Sequence, residues 1–128
     1  MSYHISKTLD LGFEKAKQAV TEALKTEGFG ILTEIDLKAT LKKKLDVDFQ
    51  PYTILGACNP PYAYKALQAE NKIGTMLPCN VIVQGLEGGG TEVSAVDPMA
   101  SMQAIQNETL GGLADEIRSK LEKVINSL

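Results

Sequence analysis

Two Cys-Asn pairs, Cys58-Asn59 and Cys79-Asn80, combine the residue types in this sequence that best suit chemistry. An ionised thiol is a nucleophile, a redox group and a soft-metal ligand, and an amide side chain both donates and accepts hydrogen bonds. Asn59 followed by Pro60 is typical of a helix start, with Asn at the N-cap and Pro in the first turn. Cys58 is therefore predicted to lie at a helix N-terminus, where partial positive charge lowers the pKa of a thiol.

Whether the two pairs form one site depends on the relative direction of two strands. Cys58 ends one predicted strand and Cys79 begins another, so antiparallel pairing would bring both to the same end of the sheet. A shared end would suit a redox pair, a two-coordinate Cu(I) site or a polar pocket that includes Asn59 and Asn80. Because Gly56 has no side chain, we predict that another backbone or a ligand approaches the strand closely at this position. A purely structural role is the alternative, because free cysteines are among the most buried residues.

Other candidate residues are few. Lys65, one turn into the helix after Pro60, could counter an anion or a thiolate in the same cleft, although a solvated lysine is the commoner outcome on a helix. We predict no metal site and assign no cofactor, because the remaining soft ligands are scattered over Met76, Met99, Met102 and the single histidine His4. With one histidine and no phosphate-binding glycine motif, the sequence assigns no catalytic residue and leaves enzymatic activity open.

Charge and composition argue against nucleic acid and membranes as partners. The chain of 128 residues has a net charge of −3 and no Trp, whereas nucleic-acid binding relies on clustered basic side chains and aromatic platforms. No run of about 18 apolar residues occurs, and the N-terminus lacks the apolar stretch of a signal peptide. We therefore expect a single cytoplasmic domain over residues 1–128, with reduced thiols.

Hydrophobic periodicity predicts nine elements in the order β-α-β-α-β-α-β-β-α. The predicted strands cover residues 3–8, 30–35, 52–58, 79–86 and 91–97, and residues 71–78 are predicted as a loop. The short second helix has an apolar stripe of Leu37, Leu41 and Leu45. The last helix has the clearest stripe, which we expect to close the core: Leu110, Leu113, Ile117, Leu121, Val124 and Leu128.

This order predicts an α+β fold in which helices pack on a mostly antiparallel sheet. The glycine triplet Gly88–Gly90 is interpreted as a hairpin turn between the last two strands. A hairpin near the end of the chain implies at least partly antiparallel pairing. Because a small sheet exposes edge strands that can pair with a second copy, we expect a homodimer.

The segments Tyr52–Ala69 and Ile73–Val83, which contain both Cys-Asn pairs, resemble the signature of a bacterial and archaeal family known as domain of unknown function 302. The resemblance covers essentially the whole chain. It implies a curved antiparallel sheet with packed helices, similar in outline to the TATA-binding-protein-like class, and it suggests a dimer. It implies no reaction. The characteristic positions of the family fall on Gly56, Cys58, Asn59, Pro60, Pro78, Cys79 and Asn80.

Three functions follow from these residues. The first is a non-enzymatic binding module for a small molecule or anion at a cleft lined by Cys58, Asn59, Lys65, Cys79 and Asn80. The second is a thiol-based redox, sulfur-handling or Cu(I)-binding protein that uses the two cysteines. The third is a structural or interaction module whose dimer is its function.

Overall fold

The computed structural model describes residues 2–128, which form five strands, five α-helices and one 3-10 helix. The strands are β1 (His4–Leu9), β2 (Gly30–Asp36), β3 (Tyr52–Cys58), β4 (Cys79–Gly85) and β5 (Thr91–Val96). The α-helices are α1 (Phe13–Thr26), α2 (Leu37–Leu45), α3 (Pro60–Ala69), α4 (Pro98–Ser101) and α5 (Glu108–Asn126), and the 3-10 helix is Asn71–Met76. Within residues 2–128, no helix combines the length and apolarity needed to cross a membrane.

The five strands form one sheet in the order β1-β5-β4-β3-β2, and every neighbouring pair is antiparallel. The predicted α+β class with an antiparallel sheet is therefore confirmed. The hairpin between β4 and β5 is confirmed as well, because Gly88, Gly89 and Gly90 all have positive φ angles, which glycine adopts without steric cost. The amide of Leu86 donates to the carbonyl of Gly90 across this turn at 3.1 Å.

Helices α1 and α5 cover one face of the sheet and form the larger core with it. Alternate strand residues point to this face, which gives β3, β4 and β5 one buried row each. The stripe of α1 buries Ala16, Val20 and Leu24 completely, as its spacing predicts. We call this set the main cluster: Leu9, Ala16, Val20, Leu24, Phe29, Leu55, Ala57, Cys79, Val81, Val83, Val93, Ala95, Ile117, Leu121, Val124 and Ile125.

A second, smaller core lies beside the sheet and consists of helical and loop residues. The first half of α5 packs there against α3, α4 and the 3-10 helix. Tyr62 of α3 contacts both cores and so lies at the boundary between them. We call this set the second cluster: Ala66, Ile73, Met102, Leu110, Leu113 and Ala114.

Two details differ from the sequence prediction. Residues 71–76, predicted as loop, form the 3-10 helix because the fully buried Ile73 anchors the segment in the second cluster. The short helix α4 was not predicted; it begins where Asp97 accepts a hydrogen bond from the amide of Met99 at 2.9 Å. Helix α2 packs against β2 and β3 and has no buried residue, and Leu45 of its predicted stripe is 66% exposed.

Homodimer formation stays a prediction. The edge strands that motivated it are β1 and β2, each of which pairs on one side only. On the sheet face opposite α1 and α5, register aligns Ile35, Ile54 and Ile82 in one apolar row across β2, β3 and β4. An edge strand or this row would have to supply the contact between two copies.

Candidate functional site

The two Cys-Asn pairs lie at the same end of the sheet. Strands β3 and β4 are antiparallel, and their register places Ala57 opposite Cys79 and Gly56 opposite Asn80. The antiparallel pairing that would bring both Cys-Asn pairs to one end of the sheet is therefore present. Cys58, the last residue of β3, is diagonal to Cys79, the first residue of β4.

Strand alternation gives the two cysteines different environments. Ala57 and Cys79 share the face covered by the helices, and Cys79 is only 6% exposed. Cys58 follows Ala57 directly, at the last position of β3, and is half-buried. Both thiols are free.

A cavity of about 320 Å³ lies at this end of the sheet, where the main and second clusters meet. Cys79 and Ala57 belong to its buried wall, whereas Leu32 and Leu67 are 66% and 44% exposed and mark its opening to the surface. We call it the seam cavity. Its lining is dominated by apolar side chains: Phe29, Leu32, Ala57, Cys58, Asn59, Tyr62, Ala63, Ala66, Leu67, Leu77, Pro78, Cys79, Met102, Leu110, Leu113, Ala114 and Ile117.

Asn59 lines the seam cavity, but its side chain is already engaged. It occupies the N-cap position of α3, as predicted, yet it makes no side-chain capping bond. Its Nδ2 instead donates to the carbonyl oxygen of Glu27 at 3.0 Å, which ties the start of α3 to the end of α1. Asn59 therefore holds the predicted N-cap position, but its side chain joins two helices and does not cap α3.

The missing side chain of Gly56 leaves space for two neighbouring side chains. A Cβ at this position would overlap Oγ1 of Thr33 and lie 2.8 Å from Cγ of Pro78. The strand β2 is irregular between Ile31 and Thr33, and the extra residue there is Leu32. This bulge delivers Leu32 to the opening of the seam cavity.

Asn80 is exposed and does not line the seam cavity. It borders a separate surface recess with Thr75, Met76 and Val96. The two asparagines that sequence reasoning placed in one pocket are therefore not brought together. The reason is alternation: Asn80 is opposite Gly56, on the sheet face away from α1 and α5.

Lys65 lies beside the seam cavity and is absent from its lining. Its Nζ is 5.8 Å from the ring centroid of Tyr62, and Tyr62 does line the cavity. Nζ of Lys120, on α5, lies at the same distance from the same ring. Sequence reasoning missed Lys120, because only the packing of α5 against α3 brings it near Tyr62.

Burial controls the chemistry of Cys79. Desolvation, with a smaller contribution from nearby Cys58, raises the pKa of the Cys79 thiol to about 11. Cys79 therefore stays protonated at neutral pH and is a poor nucleophile and metal ligand.

The soft metal ligands considered from the sequence are divided among three places. Met102 lines the seam cavity with the two cysteines. Met76 borders the recess near Asn80, and His4 and Met99 border another recess. Within residues 2–128, no three His, Cys, Asp or Glu side chains are grouped as metal ligands would be.

An antiparallel five-stranded sheet with α1 and α5 on one face defines an α+β domain, and a mainly apolar cavity lies at the end of this sheet. The chain belongs to the family described as domain of unknown function DUF302, whose model matches residues 5–128. The resemblance seen in the sequence is thereby confirmed.

A solved structure supports the same assignment. It is the crystal structure of an uncharacterized conserved protein DUF302 from Bacillus stearothermophilus. The two chains are 28% identical, the similarity covers 98% of each, and the TM-score is 0.91. Among proteins with curated descriptions, none matches this sequence.

Proposed function

We propose that this protein is a non-enzymatic binding module for a small, mainly apolar molecule held in the seam cavity. The observation that carries the proposal is the cavity itself, about 320 Å³ in volume and lined by both clusters. Protein interiors are close-packed and leave few voids larger than a water molecule. Sites for small molecules begin at about 300 Å³ and are lined mainly by apolar side chains with a few polar groups.

The polar groups of the lining support binding more than catalysis. Asn59 is bound to the carbonyl of Glu27, and the raised pKa of Cys79 keeps its thiol protonated. A general base or an activated nucleophile is needed for most acyl or group transfers, and neither residue supplies one. A bare anion is also a poor occupant, because a charge in an apolar cavity loses its hydration without compensation.

A thiol-based function is the second candidate, favoured by the fact that Cys58, Cys79 and Met102 line one cavity. Such a function would rest on Cys58, which is half-buried, because Cys79 is protonated at neutral pH. An interaction module that acts as a homodimer is the third candidate. It would use the edge strands or the apolar row described above.

The binding function is tested with the neutral fluorophore N-phenyl-1-naphthylamine and a variant that fills the seam cavity. Ala66 is buried in the cavity wall, so Ala66→Leu places a larger side chain in the void. We expect saturable binding of the fluorophore by the unmodified protein and at least about a tenfold loss in Ala66→Leu, because the added methylenes occupy the ligand volume.

The matched control is Ala39→Leu, the same change at an exposed position of α2, which should leave binding unchanged. Ala63→Leu, at a half-buried position of the same lining, replaces Ala66→Leu if circular dichroism shows that the latter does not fold. The proposal is wrong if the unmodified protein shows no saturable binding, or if a folded variant with a filled cavity binds as tightly as the Ala39→Leu control.

A further inference from the structure

Two lysines from different helices are gathered at one wall of the seam cavity. Lys65 belongs to α3 and Lys120 to α5, and each Nζ lies 5.8 Å from the ring centroid of Tyr62. The two ammonium groups therefore lie at most twice that distance apart. Tyr62 is part of the cavity lining and neither lysine is, so both positive charges lie behind or beside one residue of the cavity wall.

These two charges are only weakly balanced by the protein. Within residues 2–128, Lys65 makes no ion pair, and the one carboxylate near Lys120 is Glu27, at 3.9 Å. Contact with an aromatic face attracts an ammonium group, but it does not neutralise the charge. The chain as a whole is acidic, with a net charge of −3. The wall at Tyr62 is therefore a local positive site in an acidic protein.

We propose that the ligand of the seam cavity is an amphipathic anion: an alkyl chain of medium length that ends in a single carboxylate. This inference rests on the proposed binding function and names its ligand class. The alkyl chain lies in the apolar cavity, where its burial drives binding. The carboxylate lies at the Tyr62 wall and accepts charge-assisted hydrogen bonds from Lys65 and Lys120.

A carboxylate with an alkyl chain is the ligand class that can use both the apolar cavity and the nearby lysines. A neutral apolar ligand would leave the lysines unused, and a small anion without a chain would gain nothing from the cavity. A carboxylate with a chain uses both features and keeps its charge at the wall, close to solvent. Lysine suits this role as a flexible point charge, because its four-carbon stem follows a head group whose position varies with chain length.

The test compares decanoate with the uncharged 1-decanol, each used to displace N-phenyl-1-naphthylamine from the protein. We expect decanoate to bind about tenfold more tightly than decanol at low ionic strength, and this preference to shrink as salt is added. The double variant Lys65→Gln/Lys120→Gln should lose most of the preference by weakening decanoate alone. The double variant Lys65→Arg/Lys120→Arg keeps both charges and should retain it, and Lys43→Gln on α2 is the control for a change of charge elsewhere.

The outcomes separate this inference from the function on which it rests. Equal binding of decanoate and decanol, or a preference that survives the double Gln variant, would overturn the assignment of a carboxylate ligand and leave the cavity function intact. Failure of both compounds to displace the bound fluorophore overturns the assignment as well. If calorimetry instead shows lysine-dependent decanoate binding that Ala66→Leu does not weaken, the head-group site stands and the cavity function falls.

Discussion

The main cluster packs on the sheet and the second cluster does not, and we attribute the cavity between them to this difference. The main cluster packs on a sheet, whose strands hold alternate side chains at fixed spacing beneath α1 and α5. The second cluster has no sheet beneath it and joins α3, α4, the 3-10 helix and the start of α5. It contains two alanines, Ala66 and Ala114, and the flexible Met102, so little side-chain volume reaches the boundary. The seam cavity lies where the sheet, the regular support of the main cluster, ends.

The largest expected effect compares two leucines of α5, one in each cluster. Leu121 is completely buried in the main cluster, and Leu110 is 2% exposed in the second cluster, where it borders the seam cavity. Leu121→Ala should lower the free energy of unfolding by about 3–5 kcal/mol, and Leu110→Ala by about 2–3 kcal/mol, because Leu110 already lacks neighbours on one side. Urea denaturation of both variants gives the two values. Equal losses would mean that the clusters are packed alike.

A smaller expected effect, the loss of stability at high pH, distinguishes Cys79 from Cys58. Burial raises the pKa of Cys79 in the folded protein from 9.0 to about 11, so the unfolded chain releases the proton at lower pH. Stability is therefore unaffected below pH 9 and falls between pH 9 and about 11, by roughly 2–3 kcal/mol at the upper end. The measurement is the difference in unfolding free energy between the unmodified protein and Cys79→Ala across that range.

Cys58→Ala is the matched control for this pH dependence. Its thiol is half-buried and adds only the smaller part of the Cys79 shift, so the control should retain most of the decline. Parallel stability curves for the unmodified protein and Cys79→Ala would contradict the buried, protonated state assigned to Cys79.

The smallest effect compares the two asparagines that begin helices at the boundary. Asn107 accepts a hydrogen bond from the amide of Leu110 at 3.1 Å and donates to the carbonyl of Ala69 at 2.8 Å. Asn59 makes only the bond to Glu27. Asn107→Ala should cost about 1–2 kcal/mol of stability and Asn59→Ala about 1 kcal/mol, because the former loses a helix cap as well as a bond between elements.

The variant Asn107→Asp separates the two roles of Asn107. An aspartate keeps the oxygen that caps α5 and removes the Nδ2 donor to Ala69. Thermal unfolding should place it between the unmodified protein and Asn107→Ala. If Asn59→Ala proves the more damaging of the two alanine variants, the tie between α3 and α1 matters more than the cap of α5.

Local sequence patterns predicted most of the fold because most elements here are specified locally. The stripe of α5 and the glycine turn between β4 and β5 each lie within one short segment. The 3-10 helix lacked such a signal, since its single anchor, Ile73, is recognisable only once the second cluster exists. The stripe of α2 is the converse case, in which a local pattern is present and no residue of the helix is buried. Leu37, Leu41 and Leu45 have the spacing of a core face, but no free core surface remains for them.

The candidate site was predicted in position and only partly in character. Cys58, Asn59 and Cys79 do line one cavity, as antiparallel pairing of their strands requires. The predicted cleft was polar, however, and the cavity is mainly apolar. Its apolar wall comes from residues such as Met102 and Ile117, which are distant in sequence and have no local mark of a site. Lys65, predicted as a cation of the cleft, lies near Tyr62 and outside the lining, and Lys120 reaches the same ring only through helix packing.

The place of β1 in the sheet has a consequence for synthesis of the chain. β1 is the first strand to be made, yet its only neighbour is β5, the last, whereas β2, β3, β4 and β5 pair in succession along the sequence. A nascent chain on the ribosome can therefore assemble four strands step by step, while residues 4–9 keep unpaired backbone groups until residues 91–96 have emerged. The N-terminal strand is then the last of the five to pair, and it forms one edge of the open sheet.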